Sequence, residues 1–187
     1  MASCAEPHRA TLIVKNRFGR PLNLSHSVAM AANAVLRIVG TAQVAAVCYR
    51  RLGNRLQFLL VRTGKGRWSF PKGHVERTLT SSQAAAREAL EEAGAVGIIA
   101  SRPFARYRHK KRALPSDVVV RAYLLRVMRT IEPPEEHRRP TWFEAREART
   151  RLAVSRKSRY RKELRLVLDR AVRLLDGRHA GHKRCLP

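Results

Sequence analysis

The pattern of apolar and polar positions predicts alternating strands and helices from residue 41 onward. Short apolar runs bounded by turn residues indicate strands, and the dipeptide Gly53-Asn54 marks a turn between the first two. The last run alternates only partly, which is typical of a strand that is covered on both faces. The predicted strands are residues 43–49, 57–62, 68–70, 104–108 and 118–127.

The clearest helix signal covers residues 80–93. Thr80 and Gln83, three residues apart, form a capping box that satisfies the free N–H groups at a helix start. Gly94 suits the left-handed position that ends many helices. Two further helices are predicted at residues 143–153 and 160–175, the second from an apolar stripe at helical spacing.

The order of these elements, strands, helix, strands and helix, favours one α/β domain over residues 41–176. Residues 1–40 lack strand alternation and are expected to form an N-terminal extension, with one amphipathic helix at residues 25–39. A targeting peptide is the alternative for this segment, because it holds few acids. Residues 177–187 are expected to be a basic tail.

The chain is strongly basic, with 39 Lys and Arg against 14 Asp and Glu, a formal net charge of +25. Such a charge predicts attraction to polyanions such as polyphosphates, inositol phosphates or nucleic acid. A hydrophobic fraction of 44% is typical of a packed core. No apolar run approaches the roughly 18 residues of a membrane span. Three widely spaced cysteines predict no disulfide framework, and we expect a cytoplasmic protein.

Three of the scarce acids, Glu88, Glu91 and Glu92, lie together in the sequence REALEEAG at residues 87–94. On a helix they occupy neighbouring positions, where like charges repel. A solvated acidic face is the ordinary explanation. A divalent cation is the alternative, because Mg²⁺ prefers a few carboxylates together with water and phosphate oxygens.

The loop before the helix favours the second explanation. Residues 68–76 read WSFPKGHVE, in which Gly73 permits close approach of the backbone to a ligand and Lys72 suits a phosphate. Together with a capped helix and three clustered acids, these residues predict one site.

Residues 73–95, GHVERTLTSSQAAAREALEEAGA, resemble the Nudix box, a loop–helix–loop signature. That pattern is Gly, five residues, Glu, seven residues, Arg-Glu, an aliphatic residue, any residue, Glu-Glu, any residue, Gly and an aliphatic residue. One position departs from it, because Leu79 stands where the pattern has Glu. The matching residues are Gly73, Arg87, Glu88, Glu91, Glu92 and Gly94, with Ala89 and Ala95 at the aliphatic positions.

The resemblance implies an α/β/α sandwich with a mixed central sheet, and hydrolysis of a diphosphate linked to a variable group. It implies Mg²⁺ as cofactor, with Mn²⁺ as a substitute. Either Glu88 or Glu91 is the expected general base, and Arg87 is expected to anchor the helix to the loop by ion pairing. Glu76 is a hypothetical replacement for the carboxylate missing at Leu79. The implied metal ligands are Gly73, through its carbonyl, Glu88, Glu91 and Glu92.

The stretches PKGHVE, YRHKKR and WFEAREA resemble the diphosphoinositol-polyphosphate and diadenosine-polyphosphate hydrolase branch of the family. That branch implies an anionic, phosphorylated small molecule as substrate. The motif places Lys72, whereas every other candidate for phosphate binding is equally well explained as a surface cation. Trp68 and Tyr107 are candidates for stacking on a base, with a packed strand residue as the alternative for Trp68. The candidate phosphate-binding residues are Lys72, Arg62, Arg67 and Lys110, followed by Lys65, Arg108 and Lys111.

Two other functions remain open from the sequence. The charge of the chain is compatible with hydrolysis at RNA 5′ ends, with basic residues after Arg156 as contacts. Leu79 is compatible with a catalytically weakened Nudix fold that binds polyphosphates without turnover.

Overall fold

The computed structural model describes residues 43–76, 78–110, 117–133 and 135–182, and side chains up to residue 177. The extension and helix predicted before residue 41 lie outside this part of the chain, as does Lys111. The described residues form a mixed eight-stranded sheet with the central order β3-β2-β1-β7-β5. Strand β4 pairs with β1, β6 with β7, and β8 with β2. The strands are β1 Gln43–Leu52, β2 Arg55–Arg62, β3 Trp68–Ser69, β4 Lys72–His74, β5 Ala95–Ile99, β6 Ala105–Lys110, β7 Asp117–Thr130 and β8 Thr141–Glu144.

Helices cover both faces of the sheet, which confirms the predicted α/β/α sandwich with a mixed sheet. The helices are α1 Ser81–Ala93, α2 Ala145–Ala153 and α3 Ser158–His182, with a short 3₁₀-helix at Glu136–Arg138. No helix among the described residues has the length and apolar composition to cross a membrane.

Strand β1 lies at the centre of both hydrophobic cores. It runs parallel to β7 and antiparallel to β2 and β4. Val44 and Ala46 belong to the core beneath α1, and the alternate residues Ala45 and Val47 belong to the core beneath α2 and α3. A strand that is buried on both faces reads as a continuous apolar run, which explains why β1 was readily predicted.

Four elements differ from the prediction, namely β4, β5, β8 and α3. Strands β4 and β5 were not predicted, because each is a short segment that pairs with a distant part of the chain. Residues 143 and 144 were wrongly assigned to a helix, since β8 pairs Phe143 with Phe58 of β2 and α2 begins only at Ala145. Helix α3 continues to His182, into the segment expected as a tail, because a helix can extend beyond its last packed apolar residue.

Candidate active site

Helix α1 carries the carboxylate cluster, and its ends follow the predicted signals. Thr80 and Gln83 make both hydrogen bonds of the capping box. Gly94 has a left-handed φ of 60°, and a Cβ there would lie 2.0 Å from the backbone oxygen of Ile131. Ala84, Ala85 and Ala89 of α1 are fully buried against the sheet. Caps and packing together therefore fix the rotation and the start of the helix that presents the glutamates.

Gly73 meets the first of these glutamates directly. It lies in β4, where it pairs with Val44 of β1. A Cβ on Gly73 would lie 1.7 Å from Oε1 of Glu88. Residue 73 must therefore be glycine for Glu88 to keep its position. The close approach predicted at Gly73 is made by the Glu88 carboxylate.

Glu92 is buried, with 3% of the residue exposed. Its Oε2 accepts a hydrogen bond of 3.1 Å from the backbone N–H of Lys72. Its Oε1 lies 2.7 Å from Nη2 of Arg138. Glu92 follows Ala85 and Ala89 at helical spacing, so it belongs to the buried face of α1 rather than to an exposed acidic face.

Arg138 and Glu135 are site residues that sequence reasoning missed. Nε of Arg138 lies 2.7 Å from Oε2 of Glu135, and the Glu135 backbone N–H donates to the carbonyl of Glu91 at 3.2 Å. Both residues lie in or beside the 3₁₀-helix after β7. The only signal in the sequence was an acid close to an arginine at residues 135–139, which nothing connected to α1.

Burial and mutual repulsion shape the electrostatics of the cluster. The pKa of Glu88 is raised to about 7, first by burial and then by Glu92 and Glu91. Burial also raises the pKa of Glu92, although Arg138 and Lys72 oppose the shift. It lowers the pKa of Lys72, against the attraction of Glu92. Burial thus outweighs pairing at both partners, and a cation at these oxygens would favour the charged carboxylates.

The donor chemistry of the cluster fits a hard divalent cation, because every candidate ligand is an oxygen. Among the described residues, however, no three His, Cys, Asp or Glu side chains are grouped as metal ligands. Two of the glutamates are held by arginine instead, Glu92 by Arg138 and Glu91 by Arg87, whose Nε lies 3.4 Å from Oε1. To surround one ion, the glutamates must exchange these ion pairs for metal bonds.

Arg87 anchors α1 to the preceding loop. Its two terminal nitrogens lie 2.5 Å and 2.7 Å from the two carboxylate oxygens of Glu76. This pairing lowers the pKa of Glu76. Leu79, the departure from the motif, packs beside the core beneath α1, and its backbone N–H donates to the carbonyl of Glu76 at 3.1 Å. Glu76 therefore provides a carboxylate for Arg87 in the loop that holds Leu79.

We expect the variants Arg87→Gln and Glu76→Gln to be non-additive. The pair is bidentate but partly exposed, so a double-mutant cycle on urea unfolding should show a favourable coupling free energy that exceeds that of a singly bonded exposed pair. The exposed pair Arg151–Glu147, at 2.9 Å on α2, is the matched control and should couple by about 0.3 kcal/mol. Fully additive effects would show that Glu76 does not anchor Arg87.

A cavity of about 700 Å³ opens beside Lys72 and Arg138. Four of the predicted phosphate-binding residues line it, namely Lys65, Arg67, Lys72 and Lys110. Its lining residues are Thr63, Gly64, Lys65, Arg67, Ser69, Lys72, His109, Lys110, Arg138, Arg156, Lys157 and Tyr160.

Two predicted phosphate ligands are engaged elsewhere. The guanidinium of Arg62 lies 3.9 Å above the ring of Trp68 and donates to the carbonyl of Gly66. Arg108 forms an ion pair of 3.5 Å with Glu163. Neither residue lines the cavity.

The predicted stacking residues are buried. Trp68 is 9% exposed and meets Phe143 edge-on, with ring centroids 4.9 Å apart. Tyr107 is 3% exposed and belongs to the core beneath α2 and α3. Neither ring offers an open face for a base, so the packed alternative is correct for Trp68 and the stacking prediction for Tyr107 is wrong.

A family model of the NUDIX domain matches residues 41–164. The fold is similar to that of C. elegans Ap4A hydrolase in a binary complex, at 24% identity and a TM-score of 0.59 over 73% of this chain and 98% of that one. It is also similar to the NUDIX domain of Shewanella oneidensis NrtR, crystallised with ADP ribose, at 16% identity and a TM-score of 0.56 over 81% and 99% of the chains. A search of curated protein sequences finds no match.

At these identities the solved structures show a shared fold. The family match carries more, since it covers over half of the chain and includes the entire carboxylate helix and the loop before it. The chain therefore belongs to the Nudix family, and this membership supports a Nudix pyrophosphohydrolase, a class of enzyme that generally uses a divalent metal ion.

Proposed function

We propose that this enzyme hydrolyses a diphosphate bond in a nucleoside or inositol (poly)phosphate derivative, with Mg²⁺ as its metal ion and Mn²⁺ as a substitute. One observation carries the proposal: the carboxylates of α1 and the cationic cavity share two residues. Lys72 and Arg138 both contact Glu92 and both line the cavity. An anionic substrate in the cavity therefore lies beside the acidic cluster.

The carboxylates of Glu88, Glu91 and Glu92 and the carbonyl of Gly73 would hold the metal ion. When bound, the ion would neutralise the charge of the diphosphate and lower the pKa of a water molecule. These four groups lie on two elements, α1 and β4, whose close approach at Gly73 limits how far Glu88 can move.

The side chains of the enzyme orient the substrate and move the proton. Lys72 and Arg138 would donate to phosphate oxygens through Nζ and the guanidinium, which are strong charge-assisted hydrogen bonds. Glu88, with Glu91 as the alternative, would accept the proton of the attacking water at a carboxylate oxygen. Arg87 would act through its pairs with Glu76 and Glu91, and not on the substrate.

A panel of diphosphate compounds tests the proposal. Purified protein with Mg²⁺ or Mn²⁺ is expected to release phosphate or nucleotide from at least one dinucleoside polyphosphate, nucleoside diphosphate sugar or diphosphoinositol compound. Glu88→Gln and Glu91→Gln are each expected to lower kcat at least a hundredfold, because each removes a charged oxygen ligand. Glu147→Gln, an exposed change on α2, is the control and should keep the activity.

Two results would replace the proposed function with the alternatives. Activity confined to 5′-triphosphorylated RNA within the same panel would identify an RNA 5′-end pyrophosphohydrolase. A protein that binds polyphosphates but turns over no compound with either metal would be a binding module, in which the pairs formed by Arg87 and Arg138 block the metal site.

A further inference from the structure

Part of the cavity wall holds two arginines close together without an acid. Nη1 of Arg67 donates to the carbonyl of Ser155 at 3.4 Å. Nε of Arg156 donates to the carbonyl of Leu152 at 2.9 Å, and its Nη2 donates to the carbonyl of Trp68. Backbone carbonyls therefore fix both guanidinium groups in place. Within the described part of the chain, neither forms an ion pair with a carboxylate.

Arg156 is affected by both its burial and its neighbour Arg67. The pKa of Arg156 is lowered to about 10, first by burial and then by the charge of Arg67. Lys157, the next residue along the chain, is exposed and lines the same cavity. Holding like charges together at a partly buried wall is unfavourable unless an anion binds there.

Two buried polar groups near this wall have no hydrogen-bond partner. Nε of Arg67 is inaccessible to solvent and has no hydrogen-bond partner. The hydroxyl of Tyr107 is buried without a partner as well, and Tyr107 interacts electrostatically with Arg156. Unsatisfied polar groups cost about 1–3 kcal/mol each. Of these two residues only Arg67 lines the cavity, so its guanidinium is the group that an acceptor bound there would satisfy.

The cations on the other side of the cavity, unlike these arginines, are paired with a carboxylate. Lys72 and Arg138 are compensated by Glu92, which contacts both. Arg67, Arg156 and Lys157 have no such carboxylate among the described lining residues, none of which is Asp or Glu. A volume of about 700 Å³ is also larger than one diphosphate group needs, since ligand sites of roughly 300–1,000 Å³ hold whole drug-sized molecules.

We propose that Arg67, Arg156 and Lys157 form a second anion site, which binds a phosphate group of the substrate other than the diphosphate that is cleaved. This inference rests on the proposed function, and it specifies the substrate class: compounds that carry phosphate groups beyond the scissile diphosphate are preferred. Selection then depends on the number and placement of phosphates. Neither Trp68 nor Tyr107 contributes an open ring face that would read a base.

Equilibrium binding without turnover tests the site by itself. The probe is myo-inositol hexakisphosphate in metal-free buffer, because it contains no diphosphate bond. The double variant Arg67→Ala/Lys157→Ala is expected to weaken binding at least tenfold, since two charge-assisted contacts to phosphate are lost. Arg156 is left intact because it holds the carbonyls of Leu152 and Trp68. Lys157→Ala, an exposed single change, should alone weaken binding about threefold or more.

The control removes the same charge elsewhere. Arg161→Ala/Lys162→Ala changes two exposed cations of α3 that do not line the cavity, and it should alter binding less than threefold. Equal weakening by the two double variants would mean that the probe responds to overall charge, and it would overturn the second site.

Hydrolysis provides the second readout. We expect the ratio of kcat/KM for diadenosine tetraphosphate to that for diadenosine diphosphate to fall at least tenfold in Arg67→Ala/Lys157→Ala. An unchanged ratio would overturn the inference and leave the proposed function intact. If the wild type hydrolyses neither compound nor any other of the panel, the proposed function fails, while the metal-free binding experiment still decides whether the anion site exists.

Discussion

Arg138→Ala is expected to lower the free energy of unfolding of the metal-free protein by about 3 kcal/mol. The Glu92 side chain is only 4% exposed, and its Oε1 loses the guanidinium that lies 2.7 Å away. Removing one partner of a buried ion pair leaves an uncompensated charge, which typically costs 3–5 kcal/mol. Because the backbone N–H of Lys72 still donates to Glu92, the loss of unfolding free energy should lie near the lower end of this range. Urea denaturation at neutral pH measures it.

Two further variants show whether the loss comes from Glu92. Adding Glu92→Gln to Arg138→Ala should recover at least half of the lost free energy, because the neutral amide can still accept from Lys72. Arg146→Ala, an exposed change on α2, should cost less than 0.5 kcal/mol. A loss below 1 kcal/mol for Arg138→Ala would mean that Glu92 does not depend on this arginine.

Helix α1 could be predicted from sequence because its signals are local. The capping box and Gly94 lie within fifteen residues of each other, and each determines backbone geometry without help from the rest of the fold. The burial of Glu92 could have been read from its spacing to Ala85 and Ala89. The sequence analysis grouped Glu92 with Glu88 and Glu91 in one acidic cluster and did not use its spacing to these buried alanines.

The missed parts of the fold and site depend on distant contacts. Arg138 meets Glu92 only because the 3₁₀-helix, which follows β7 in the chain, lies beside α1. Strand β5 contains Gly97, where a Cβ would lie 2.0 Å from the carbonyl oxygen of Arg126 on β7. Glycine disfavours a strand prediction, and the close approach of β7 that requires it here cannot be seen in the sequence.

Which cations are available to bind a ligand also depends on contacts between distant parts of the chain. The net charge of +25 predicted an anionic partner without a location. Arg62 and Arg108 carry the same guanidinium group as Arg67 and Arg156, yet Arg62 packs on an aromatic ring and Arg108 pairs with an acid. Which cations remain for a ligand is decided by the acids and rings that each one meets in three dimensions.

Gly73→Ala is expected to lower kcat/KM at least a hundredfold with only a small change in melting temperature. The added Cβ would lie 1.7 Å from Oε1 of Glu88, so the carboxylate must move. It can do so at little cost to the fold, because the displaced atoms are the end of a flexible side chain. A displacement of about 1 Å in a reacting group costs roughly a hundredfold in rate. Steady-state kinetics and thermal unfolding measure the two effects.

The control is the substitution Gly177→Ala on α3, where no atom lies within 4 Å of an added Cβ. It should leave kcat/KM unchanged and raise stability slightly, since alanine is the better helix former. Binding of Mn²⁺ to Gly73→Ala, followed by electron paramagnetic resonance, should weaken at least tenfold. If Gly73→Ala keeps both its activity and its Mn²⁺ affinity, the position of Glu88 against β4 does not matter for metal binding. In that case the glycine serves only the packing of β4, and the other two glutamates must hold the ion.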